Sequence, residues 1–154
     1  MTLISDSLEL DSFAAFNAML NDMIQPLATP TLQAQTWQDV IDVLQEMERG
    51  YFASSAGPSG EPWAPNAPLT ILKKGHGIVL RDTYELESSL TGSSGTSIRK
   101  IASDSLEFGT SREWAWTHQN GEGIVQREFL GMNEDSMKDV LDIVADAAVE
   151  MMFA

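Results

Sequence analysis

Residues 57 to 68, GPSGEPWAPNAP, hold four of the chain's six prolines and two of its eleven glycines. Proline has a fixed φ and no backbone N–H, so neither a helix interior nor a central strand can run through such a stretch. It cuts the chain into a first third with helical periodicity and a remainder that must be read separately. Pro62, Pro65 and Pro68 recur every third residue, which favours an extended, polyproline-like path. Trp63 is the one large apolar side chain inside it. It reads as the anchor of a strap, buried against helices or sheet; the alternatives are fastening to its own domain or contact with a neighbouring copy.

Before the strap, Phe13, Phe16, Leu20, Met23, Ile24 and Leu27 recur at helical spacing and Pro26 and Pro30 interrupt them, which predicts a first helix over about residues 6–25. A second starts near Thr31 or Thr36, where TWQD resembles a capping box, carries Trp37, Val40, Ile41, Leu44, Met47 and Tyr51 on one stripe, and stops at Gly50. A short connection makes the pair an antiparallel helical hairpin.

Beyond the strap, Asp82 is placed to cap a brief helix with Leu86 and Leu90 turned inward. SSLTGSSGTS reads as a flexible loop or hairpin tip, and SIRKIA and SLEFGT flank an SD turn as a β-hairpin, with IVQREFL as another strand. Asn133 caps a final helix whose stripe is Met137, Val140, Leu141, Val144, Ala148 and Met151. The expected class is α+β: an N-terminal helical hairpin (1–50), a middle of strap, short helix and small antiparallel sheet (51–132), and a long C-terminal amphipathic helix (133–154) packed on the sheet, all one domain.

With 154 residues and no cysteine, the chain can bury a core but has neither disulfides nor thiolate zinc ligands. No apolar run approaches the roughly 20 residues of a membrane span, and the N-terminus lacks the pattern of a secretory signal, so a cytoplasmic chain is expected. The net charge of −14 disfavours nucleic-acid affinity. That charge is unevenly spread: residues 1–50 carry eight acids and one base, 51–133 nine and seven, and 134–154 six and one.

Candidate chemistry is sparse. His76 lies in a glycine turn and His118 near the end of a short helix, hydrogen-bonded to a backbone group; neither has the spacing of a metal pair or a catalytic motif. TGSSGTS lacks the Lys of a phosphate loop. A small hydrolase built on His118 and a serine is the enzymatic alternative; no cofactor or metal is implied. Lys73, Lys74, Arg81, Arg99, Lys100, Arg112 and Arg127 could form a patch for an acidic protein partner, including another copy. The candidate contact residues are Lys73, Lys74, Arg112, Trp114, Trp116 and the loop around Ser93, Ser94 and Gly95. Trp114 and Trp116 share a face if extended; on a helical turn they diverge, leaving at least one for contact.

Four segments, GEPWAPNAPLTILKKG, IVLRDTYELESSLT, EFGTSREWAWTHQNG and REFLGMNEDS, resemble in order and spacing the phage virion morphogenesis proteins of the Mu-like tail-completion family, from about Tyr51 to the end. This chain has Tyr84 where members often have glycine, Trp114 where they have tyrosine, and IVQREFL in place of IPARPFL. The resemblance implies a non-enzymatic α+β subunit that forms a ring, a hexamer, at the neck between head and tail. Its partners would be itself, the head connector or adaptor and the tail tube or terminator, with genomic DNA passing through a lumen lined by part of the acidity. It also leaves a tail terminator, a head-closure ring or a capsid-stabilising protein as alternatives.

Overall fold

The computed structural model describes residues 16–21, 34–102 and 105–153, without the side chains of residues 151 and 152. Among these residues it is an α+β fold with six helices and one two-stranded antiparallel sheet. A helical segment, α1 (16–21), buries Phe16 and Leu20; the rest of the expected first helix and its connection to the second lie outside the described residues.

Helix α2 (Ala34–Ser54) buries the stripe read from the sequence, and adds Phe52. It does not stop at Gly50. A helical glycine costs about 1 kcal/mol relative to alanine, but the turn beyond it buries Tyr51 and Phe52, and the Tyr51 hydroxyl donates to Gly131 O at 2.9 Å. Thr36 lies inside the first turns of α2 and is not its cap.

After the strap come α3 (Pro68–Lys74), α4 (Glu85–Thr91), β1 (Ser97–Ile101), β2 (Leu106–Thr110) and α5 (Ala115–Asn120). The two strands are those expected, in register from Ser97 opposite Thr110 to Ile101 opposite Leu106. A two-stranded ribbon leaves unpaired backbone groups on its edges. On β2 they meet α1: Asn17 Oδ1 accepts from Phe108 N at 2.8 Å and Asn21 Oδ1 from Leu106 N at 3.2 Å, while the two Nδ2 groups donate to the carbonyls of the same residues. Two asparagines one helical turn apart thus stand in for a third strand.

α4 differs from expectation at its start. Tyr84, not Asp82, occupies the cap position, with φ 60° and no side-chain capping bond. Leu86 and Leu90 are buried as expected, and α4 packs against α2 and both strands. Those neighbours, with α1, take up the narrow sheet, so α6 (Glu134–Phe153) packs along α2 rather than on the sheet as the sequence reading had it. Its Asn133 cap is present, Oδ1 accepting from Ser136 N at 2.8 Å, and Val140 and Val144 are buried.

Residues 124–130 do not form the expected strand. Their backbone is satisfied from elsewhere: Gln119 Oε1 accepts from the N–H groups of Phe129 and Leu130 at 3.0 Å each, its Nε2 donates to Leu130 O at 2.9 Å, and Arg127 N donates to His118 O at 2.8 Å. With those groups paired, no ladder is needed.

The strap is only partly extended. Ala56 and Pro62 form a bridge that folds its first half into a turn, residues 63–67 run irregularly, and Pro68 opens α3, a first-turn position whose missing N–H costs nothing. Trp63 is buried, edge-on to Phe52 at 5.3 Å, and its Nε1 donates to Glu128 O at 2.8 Å. Gly57 sits where any Cβ would collide with that same carbonyl, which fixes the choice of glycine there.

Candidate functional site

Arginine and lysine part company in this fold. Arg81 makes a forked pair with Glu87 at 2.7 and 2.5 Å, and Arg112 pairs with Glu85. Arg99 donates to the carbonyls of Ser89 at 2.9 Å and Leu90 at 3.1 Å, with its guanidinium 4.0 Å from the Phe108 ring centre. Arg127 is buried and ties down the strap, donating to Ala64 O at 2.7 Å and Pro65 O at 2.9 Å. Arg49 pairs with Glu46 at 2.9 Å and reaches Thr91 O at 2.8 Å. The planar fork of arginine suits it to such clamps. The basic residues singled out from the sequence therefore do not form one patch: Arg81, Arg99, Arg112 and Arg127 bind their own subunit.

Lys100 is exposed on β1, 3.9 Å from Glu107, and the other two of the seven are on α3. Lys73 is exposed and makes no ion pair or hydrogen bond among the described residues. Lys74 donates to Ile78 O at 2.7 Å; burial lowers its pKa, with Asp82 opposing the shift and Arg127 adding to it. The same short helix buries none of its residues, although Leu69 is 72% and Leu72 78% exposed. The sequence reading placed no helix over these residues and did not single out the two leucines.

Between α3, α4 and α5 lies an open groove of about 500 Å³ lined by Lys73, Lys74, Asp82, Glu85, Trp114 and His118, among others. Of the candidate contact residues, it brings together Lys73, Lys74 and Trp114, with Arg112 adjoining through Glu85. Trp114 is 43% exposed at the start of α5, with its ring edge-on to His118 at 6.0 Å. Trp116 points elsewhere, lining a second open groove beside β2 and packing partly against the core. Ser93, Ser94 and Gly95 are exposed in the turn from α4 to β1, where Ser94 N donates to Ser97 Oγ at 3.0 Å.

His118 does not make the backbone hydrogen bond expected of its side chain: Nδ1 is buried without a partner. Burial lowers its pKa, and Arg127 and Lys74 lower it further, so the ring is neutral at neutral pH. No hydroxyl is hydrogen-bonded to it among the described residues. Nor do those residues hold a cluster of three or more potential metal ligands, or a helix long and apolar enough to cross a membrane.

The second charged feature is internal. Glu48 on α2 is fully buried and neither carboxylate oxygen has a hydrogen-bond partner among the described residues. Burial holds its pKa well above the ordinary carboxylate range, with the charge of Arg99 pulling the other way. Burial in turn brings Arg99 down to about 10, which leaves it charged at neutral pH.

The fold thus spends most of its arginines on internal clamps and leaves its most exposed aliphatics, Leu69 and Leu72, on a short helix beside an unpaired lysine. Its residues 12–148 match the phage virion morphogenesis family, and the chain belongs to that family. It is thus a structural, tail-related protein of a bacteriophage virion. No curated protein and no solved structure matches it.

Proposed function

We propose that this chain is a tail-completion or neck subunit, one of several identical copies forming a ring at the head–tail junction through which the genome passes. The observation that carries the reading, beyond family membership, is the segregation of surface: a basic, aliphatic α3 and an acidic α6 on one subunit. Two unlike and complementary faces generate a head-to-tail contact, and such contacts form a ring where the rotation between copies closes. The head connector and the tail tube or terminator are the remaining partners, met above and below the ring. Acid groups not used between copies face the lumen, where a net charge of −14 per copy keeps DNA from adhering.

Deleting the gene tests this reading. Filled heads and separate tails should accumulate, and purified protein added to that mixture should restore joined particles. Complete, infectious particles lacking the chain would refute it.

A further inference from the structure

Leu69 and Leu72 are three residues apart on α3 and share its outer face, with Lys73 next to them. The solvent side of α6 offers the counterpart. In its last two turns Asp146, Val149, Glu150 and Phe153 follow one another at intervals of three, one and three residues, all exposed, with Val149 at 53% and Phe153 at 82%. Lys138 neutralises Asp142 at 2.9 Å, whereas Asp146 and Glu150 make no ion pair among the described residues. One patch thus has two aliphatics and an unpaired cation; the other has two apolar side chains and two unpaired anions. They belong to different elements: α3 borders the groove it shares with α4 and α5, and α6 packs along α2.

We propose that α3 of one copy docks on the last two turns of α6 of the next, with Leu69 and Leu72 against Val149 and Phe153 and Lys73 between Asp146 and Glu150. The proposal rests on the ring reading and specifies its subunit contact. Charge selects the occupant: the acidic α6 face repels both nucleic acid and a second α6, and the lysine-bearing α3 repels a second α3. The match is therefore heterologous, the kind that propagates around a ring instead of stopping at a dimer.

The absence of cysteine from the chain allows a clean test. A variant carrying Leu72→Cys with Val149→Cys, and each single variant, is oxidised both as purified protein at high concentration and in particles. Both wild-type side chains are exposed, so folding should persist, and a circular dichroism melt checks that it does. The double variant should give a ladder of crosslinked copies ending at a closed species, and each single variant only monomer. Dimers from Leu72→Cys alone, crosslinks from α3 to a different virion protein, or no ladder in particles that contain the chain would each overturn the contact. In parallel, Lys73→Glu should cut incorporation into particles at least about tenfold, and adding Asp146→Lys and Glu150→Lys should restore it; failure of the triple variant to recover also counts against the contact. A chain absent from the junction altogether, seen by labelling wild-type particles, would instead remove the ring reading itself.

Discussion

Helices α3 and α4 are both seven residues long, yet PLTILKK buries nothing and ELESSLT buries Leu86, Ser89 and Leu90. The more apolar helix is the one left outside. Local hydrophobicity therefore does not decide burial here; position does. α4 is wedged between α2 and the strands, while α3 hangs from the strap, which Trp63 and Arg127 fasten at its root. A leucine pair kept in water on a helix fastened only at its root is what the proposed contact with another copy requires.

The contrast can be broken at several strengths. Trp63→Ala removes the anchor of the limb that bears α3 and should cost about 4 kcal/mol in denaturant unfolding; an unchanged midpoint would mean the strap is held without it. Leu90→Ala in α4 should cost about 3 kcal/mol. Glu48→Gln separates buried charge from buried fat in the layer that covers α4. The folded protein keeps a proton on Glu48 that the unfolded chain releases above its ordinary value of 4.5, so this group's contribution to stability falls as pH climbs from there toward the folded value. Glutamine does not titrate. The variant's melting temperature should match wild type near pH 4.5 and exceed it increasingly toward pH 8; a wild type that is the more stable at pH 8 would mean an ionised Glu48 paired with Arg99.

Smaller effects sharpen the comparison. Tyr84 starts α4 at φ 60°, a left-handed conformation that favours glycine, so Tyr84→Gly should stabilise by about 1 kcal/mol. A loss instead would show that the Arg81 guanidinium, 5.8 Å from the Tyr84 ring centre, outweighs the backbone strain. Least of all, Leu72→Ala in α3 should move stability by no more than about 0.5 kcal/mol while weakening assembly. A cost near that of Leu90→Ala would erase the distinction between the two helices.

Side-chain periodicity made the stripes of α2 and α6 legible, and the SD turn between two alternating segments made the hairpin legible. What periodicity cannot give is the surface a stripe meets, which is why α6 was assigned to the sheet when it packs on α2. Residues 124–130 have strand composition, but Gln119 and Trp63 satisfy their backbone from remote positions, and no local pattern encodes that. The pairing of Asn17 and Asn21 with the edge of β2 was hidden for the same reason. Of the candidate contact surface, Lys73, Lys74 and Trp114 were readable as unusual charge and aromatic residues. Leu69 and Leu72 were not, since only the fold reveals that none of the described residues covers them.

A cryo-EM map of intact particles, resolved to side chains at the head–tail junction, tests the central claim most directly. It should place a closed ring of this chain there, with Leu69 and Leu72 of every copy out of solvent against the final turns of α6 in its neighbour. A ring in which those leucines remain in water, or a junction built without this chain, would contradict it.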